Sequence, residues 1–319
     1  MRPARDVVKL VEPHQWNAQL HRITESHVEH YREHGYAIVE RFLTEDELTD
    51  ALGEWREILP GWVEYCQDPS APKPDNAQRP SRPINFRGLR FPFPGSHLNA
   101  ITLHPELVAF AKLMAGGSEM FCEQSHLTFK CKDNPNDHEQ AMHCDYGNHT
   151  LAYPPDDPAY WQTAYLLYYT DVTENHAPTA VCSRQHYLEK ILVPAHYTRE
   201  QRPSIYDNEI KVVVPAGSLL IYSMRTFHRG TAFQADGGRL GHFITYAPAA
   251  WKWLGIVGWS AEAIKPAHRT WIEQATPAER ELLGFPPPGH AYWTEETLAG
   301  VGARYPGMDM TPYRDGATP

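Results

Sequence analysis

Between residues 121 and 246 the chain carries five runs of β-branched and aromatic residues, and their spacing limits the possible folds more than any other feature. The runs are Phe121–Lys132, Thr163–Thr170, Glu209–Val214, Ser218–Tyr222 and Leu240–Tyr246. Gly, Pro, Asn and Asp separate them, and Val214-Pro-Ala-Gly-Ser218 reads as a turn between two strands. Short strands at loose, even intervals predict a jelly roll or cupin-like barrel.

The flanks have a different texture. Residues 25–34 predict a helix that ends at Gly35, a natural C-cap, with Tyr36–Val39 a short strand after it. Thr44-Glu-Asp-Glu47 is a capping box opening a helix to about Ile58. Residues 66–96 are rich in Pro and Arg and read as a loop. A further helix starts at His104, with Pro105 in its first turn and Gly116 beyond its end. After residue 250, Thr276-Pro-Ala-Glu279 is a second capping box, Pro286-Pro-Pro-Gly289 a linker, and Thr294–Val301 a last helix. The fold expected is mainly β with helical additions (α+β), built on a double-stranded β-helix core at 121–248. A helical part at 1–120 packs on that core and a helix and loop extension follows at 249–319, all as one domain.

A net charge of −10 over 319 residues offers no basic stripe and argues against a nucleic-acid partner. No run of 18 apolar residues is present to cross a membrane, and the first residues lack the apolar core of a signal peptide. The five cysteines are odd in number and none has C-x-x-C spacing, which predicts a reduced, cytoplasmic protein.

Four residues point to chemistry: His143, Asp145, His228 and Arg239. On an extended strand, residues i and i+2 point the same way. His143 and Asp145 can then grip one metal from a strand edge, with Cys144 facing away. His228, 85 positions beyond His143, suits a strand that pairs only after the chain has wrapped round a barrel. Two imidazoles and a carboxylate hold Fe(II) on one face and leave positions open for co-substrate and dioxygen. Arg239 follows a Gly237-Gly238 turn expected to run its strand back alongside that of His228, and a guanidinium is a dependable carboxylate anchor. The combination reads as an iron- and 2-oxoglutarate-dependent oxygenase acting on a small molecule.

Over roughly residues 25–248 the chain resembles the phytanoyl-CoA dioxygenase family. The shared pieces include His30-Tyr-Arg-Glu-His-Gly-Tyr-Ala-Ile-Val39, His143-Cys-Asp-Tyr-Gly-Asn-His-Thr150, Tyr169-Thr-Asp-Val172, Gly217-Ser-Leu-Leu-Ile-Tyr222, His228-Arg-Gly-Thr231 and Arg239. The resemblance implies a double-stranded β-helix and Fe(II), 2-oxoglutarate and O2 as cofactor and co-substrates. It implies His143, Asp145 and His228 as metal ligands and Arg239 as anchor of the distal carboxylate of 2-oxoglutarate. Lys130 matches a position that helps bind the co-substrate, and Thr231 places a hydroxyl beside that carboxylate. Decarboxylation to succinate and CO2, coupled to hydroxylation of an unactivated carbon, is the implied reaction. Relatives that halogenate replace the metal carboxylate by a small residue, so Asp145 argues against halogenation.

Other readings stay open on sequence alone. The same site could desaturate, epoxidise or cyclise. A barrel of this kind could bind a small molecule without catalysis, or hold zinc in a hydrolase, though no general base is evident. His27, His30 and His34 share one helix face and mimic a zinc site, but a solvated face is the simpler reading. His149 and Thr150 either shape the pocket or serve local turn hydrogen bonds. Trp251, Trp253 and Trp259 form either packing or a substrate contact.

Overall fold

The computed structural model describes residues 20–74, 93, 95–132, 139–187, 193–251, 266–277, 280 and 285–314. Helix α1 (Glu25–His34) opens where the Thr24 N–H donates to His27 Nδ1 at 3.0 Å. It closes at Gly35, whose φ of 84° is the left-handed conformation that glycine adopts without a Cβ clash. Strand β1 (Tyr36–Val39) leads into α2 (Glu45–Ile58), whose Thr44–Glu47 capping box forms as predicted. Helices α3 (Trp62–Gln67), α4 (His97–Thr102) and α5 (Pro105–Met114) follow. Most of the 66–96 loop lies outside the described residues.

The strands are β2 (Met120–Lys130), β3 (Met142–His143), β4 (Thr163–Tyr168), β5 (Thr179–Cys182), β6 (His196–Tyr197), β7 (Glu209–Lys211), β8 (Ser218–Ser223), β9 (His228–Gly230) and β10 (Arg239–Pro248). Helices α6 (Tyr146–His149) and α7 (Pro203–Asp207) interrupt them, and α8 (Pro266–Gln274), α9 (Glu295–Arg304) and α10 (Thr311–Arg314) follow. Two antiparallel sheets of five strands form, in the orders β1-β8-β4-β10-β2 and β6-β3-β9-β5-β7. This is the expected jelly-roll, double-stranded β-helix core.

The first sheet is covered on both faces, which explains its sequence. All six residues of β4 are buried. Tyr165 and Leu167 point to the N-terminal helices and join Trp55, Trp62 and Phe110 in one core. Ala164, Leu166 and Tyr168 point between the sheets and join Tyr222 and Val181 in another. A strand buried on both sides reads as an unbroken apolar run, not as an alternation. Strand β8 repeats the pattern, with Leu219 and Ile221 outward and Leu220 and Tyr222 inward.

The second sheet is where expectation and structure differ. Its strands run from two to four residues, too short to show a period. The predicted strand Glu209–Val214 stops at Lys211, and Val214 pairs with Val172 as an isolated bridge. The helix expected after Thr276 lies largely outside the described residues, although Arg280 N–H donates to the Thr276 carbonyl at 3.0 Å. Among the described residues no helix is long and apolar enough to cross a membrane.

Candidate metal centre

Strands β3 and β9 pair so that His143 lies directly opposite His228, with ring centroids 4.5 Å apart. Each ring is held by its Nδ1–H, His143 on the Ala141 carbonyl at 2.8 Å and His228 on the Thr226 carbonyl at 3.0 Å. These bonds select the tautomer with a free Nε2 lone pair, the atom a metal needs. Asp145 arrives by a different route from the one expected. Strand β3 ends at His143, and Asp145 has helical backbone angles (φ −69°, ψ −18°) immediately before α6. Its carboxylate still reaches the pair, with Oδ1 3.5 Å from His143 Nε2 and Oδ2 3.4 Å from His228 Nε2. Tyr222 donates its hydroxyl to Oδ2 at 3.1 Å. Cys144 turns away, its buried thiol donating to the Arg225 carbonyl at 3.1 Å.

Among the described residues, this is the one set of three or more His, Cys, Asp or Glu side chains whose donor atoms lie within 4.8 Å of one another. Burial pushes His228 down to about 4, against the pull of Asp145, so its imidazole is neutral at physiological pH. Burial alone would raise the Asp145 carboxyl, but His228 and His143 outweigh it and hold it well below the usual carboxylate range. Burial likewise works against charge on His143, yet the Asp145 hydrogen bond raises it above the ordinary imidazole value. Two nitrogens and one ionised oxygen, hard enough for a divalent first-row metal and few enough to leave sites open, fit iron.

Arg239 lies in the first sheet, not beside β9 as the Gly237-Gly238 turn suggested. Strand β10 pairs with β2 and β4, and Arg239 stands opposite Lys130 in register. Its guanidinium is buried, donates to the Ala177 carbonyl and lies 5.3 Å above the Tyr168 ring. Tyr168 faces the space between the sheets, so Arg239 reaches the same interior as His228 from the opposite wall. Lys130 Nζ donates to the Thr231 carbonyl at 3.2 Å, so Thr231 meets the cross-strand partner of Arg239. The Thr231 hydroxyl, however, donates to the Pro178 carbonyl at 2.7 Å.

Two neighbours escaped the sequence reading. Residue i+2 from His228 on its strand is Gly230, and a Cβ there would lie 2.8 Å from Gln140 Oε1 and 3.2 Å from Lys130 Nζ. Gln140 Oε1 accepts from Gly230 N–H at 2.8 Å. The two-residue strand period that relates His143 to Asp145 leads from His228 to Gly230, not to Thr231. Gln140 has no local signal.

A cavity of about 740 Å³ opens over the metal centre. Gln140, His143, Asp145, Asn148 and His196 line one side, and residues 303–305 of the C-terminal extension line another. His196 stacks parallel on the His143 ring at 5.3 Å. His149 does not face this cavity. Its Nδ1 pairs at 2.7 Å with Glu123 Oε1, in a contact where both side chains are buried. Thr150 donates to the Tyr146 carbonyl at 2.8 Å, a local turn bond. His27 serves the α1 cap and His34 bonds Ser183 Oγ at 2.9 Å, and among the described residues the helix histidines are not part of the convergent donor set. Trp251 packs on Tyr160 at 4.6 Å and donates to the Ala159 carbonyl, while Trp253 and Trp259 lie outside the described residues.

Several solved structures share the fold. The epimerase SnoN, in complex with Fe3+, alpha ketoglutarate and nogalamycin RO, is 20% identical with a TM-score of 0.51, over 70% of this chain and 83% of its own. EctD from S. alaskensis in its apoform is 16% identical with a TM-score of 0.54, over 73% and 81%. HygX from Streptomyces hygroscopicus with nickel and 2-oxoglutarate bound is 13% identical with a TM-score of 0.50, over 72% and 88%. No curated protein matches the sequence. The protein is a non-haem iron, 2-oxoglutarate-dependent dioxygenase by class. Within that class it belongs to the phytanoyl-CoA dioxygenase (PhyH) family, whose model matches residues 31–241.

Proposed function

We propose that the protein hydroxylates an unactivated carbon of a small organic substrate, converting 2-oxoglutarate and O2 to succinate and CO2. His143, Asp145 and His228 are assigned as the iron ligands, Arg239 as the anchor of the distal 2-oxoglutarate carboxylate, and Lys130 as a second cation beside it. The observation that carries this reading is the convergence of three donor atoms within 4.8 Å below an open cavity. Iron, when bound, supplies the activation of dioxygen.

The chain's own residues do the rest. The Ala141 and Thr226 carbonyls hold both imidazoles in the metal-binding tautomer. Tyr222 restrains one carboxylate oxygen of Asp145. Arg239, charged at any working pH, offers a planar fork to a carboxylate inside the barrel. Thr231 contributes its carbonyl to Lys130, while its hydroxyl is taken up by the Pro178 carbonyl. The cavity gives the target bond a place beside the iron. The fold relative SnoN is named an epimerase, so product analysis is needed to separate hydroxylation from other outcomes of the same site. Five free thiols suit a reducing compartment, and we assign the protein to the cytoplasm.

The test is anaerobic titration of the apo-protein with Fe(II) and then 2-oxoglutarate, following the weak visible band of the chelate. One iron per chain, a saturating band, and loss of both in Asp145→Ala are expected. A folded protein that yields no band in this titration would refute the reading.

A further inference from the structure

The C-terminal extension lies beyond the family-matched span, yet it reaches the metal centre. Helix α9 ends at Arg304, whose guanidinium turns onto the backbone that follows Asp145. Its Nη2 donates to the Gly147 and Thr150 carbonyls at 2.9 and 2.8 Å. Its Nη1 donates to Thr150 Oγ1 at 3.0 Å and to the Ala152 carbonyl at 3.4 Å. The guanidinium carbon also lies 5.7 Å from the Tyr146 ring centre.

These bonds fall on a short helix and on the residues just after it. Helix α6 is a single turn of four residues. One turn orders several residues for one hydrogen bond and leaves its last carbonyls without helical partners. Arg304 satisfies the Gly147 carbonyl of α6 and the Thr150 and Ala152 carbonyls just beyond it. The two histidines take their position from the β3–β9 ladder, but Asp145 takes its position from this turn. We propose that Arg304 is a positioning residue for the metal centre, fixing through the Gly147, Thr150 and Ala152 carbonyls the backbone turn that follows Asp145 and from which Asp145 reaches the iron. The proposal rests on the iron assignment above, and it makes the C-terminal extension part of the catalytic unit.

Docking of the extension does not depend on Arg304 alone. Tyr305 donates to the Leu151 carbonyl at 2.9 Å, Tyr292 donates to the Tyr153 carbonyl, and Gly300 packs so tightly on Tyr153 that a Cβ would lie 2.5 Å from its ring. The Arg304→Met chain is therefore expected to keep its fold.

The experiment compares Fe(II) affinity and the 2-oxoglutarate chelate band in the full-length wild type, Arg304→Met and Arg304→Lys. Loss of a residue that orients a metal ligand weakens metal binding by about 10- to 100-fold. That loss is expected in Arg304→Met together with a shifted band. Arg304→Lys should recover little of it, because one ammonium cannot span four acceptors in a plane. Millimolar guanidinium added to Arg304→Ala should restore affinity. Wild-type affinity and an unshifted band in folded Arg304→Met, or in Arg304→Lys if the Met chain does not fold, would overturn the positioning role and leave the iron assignment standing. A wild type that binds no Fe(II) would overturn both.

Discussion

Arg239→Met separates co-substrate binding from iron binding. The side chain is 3% exposed, donates to the Ala177 carbonyl and lies over Tyr168. A carboxylate brought into that interior without the guanidinium would be a buried charge stripped of its partner, which costs about 3–5 kcal/mol. At about 1.4 kcal/mol per decade, the lower figure already weakens 2-oxoglutarate binding by more than about 100-fold. Loss of the Ala177 bond affects the free and bound protein alike, so it lowers stability by roughly 1–2 kcal/mol and largely cancels from the binding comparison. Arg239 is not one of the three donors that converge on the metal, so Fe(II) affinity should stay within about threefold. The assay is anaerobic titration of the iron-loaded variant with 2-oxoglutarate. Arg239→Lys should fall between the two, since it keeps charge but not the fork. Binding of 2-oxoglutarate by Arg239→Met within about threefold of wild type would refute the anchor.

The other predictions concern space and titration. Gly230→Ala places a Cβ 2.8 Å from Gln140 Oε1 and 3.2 Å from Lys130 Nζ, so 2-oxoglutarate affinity should drop about tenfold while iron still binds. An unchanged co-substrate titration would show that Gln140 and Lys130 yield freely. His242 is buried against Ser125 and Tyr169, and burial pushes its imidazole down to about 3. Below about pH 6.5 the unfolded ring takes a proton that the folded ring refuses until about 3, so stability falls as pH falls through that window. This ring contributes a slope of up to about 1.4 kcal/mol per pH unit. Denaturant melts of the apo-protein at pH 7, 5.5 and 4.5 should give a shallower slope in His242→Gln, and equal slopes would remove His242 as the cause.

Much of this molecule was legible along the chain. Strands β4 and β8 were legible because each is buried on both faces, and a doubly buried strand must be apolar throughout. Helix α1 was legible at its end because Gly35 takes the left-handed cap conformation, and α2 at its start because a capping box is settled between residues three apart. The convergence of His143, Asp145 and His228 was legible because a metal site of this kind demands those residue types. Even so, the proposed strand geometry for Asp145 was not what formed, and the hydroxyl of Thr231 faces Pro178 while Gly230 faces Lys130.

What a sequence determines by itself is what neighbouring residues settle among themselves: caps, turns, strand faces and the chemical kind of each side chain. The pairing of His143 with His228, the arrival of Arg239 from the opposite sheet, and the grip of Arg304 on the turn after Asp145 were decided only in the tertiary structure. Each joins residues far apart in the chain: the histidines through strands too short to carry a period, Arg239 through the pairing of β10 with β2, and Arg304 through one side chain. Such contacts leave no local signature, because their free energy exists only once the two sheets and the C-terminal helix have closed on one another.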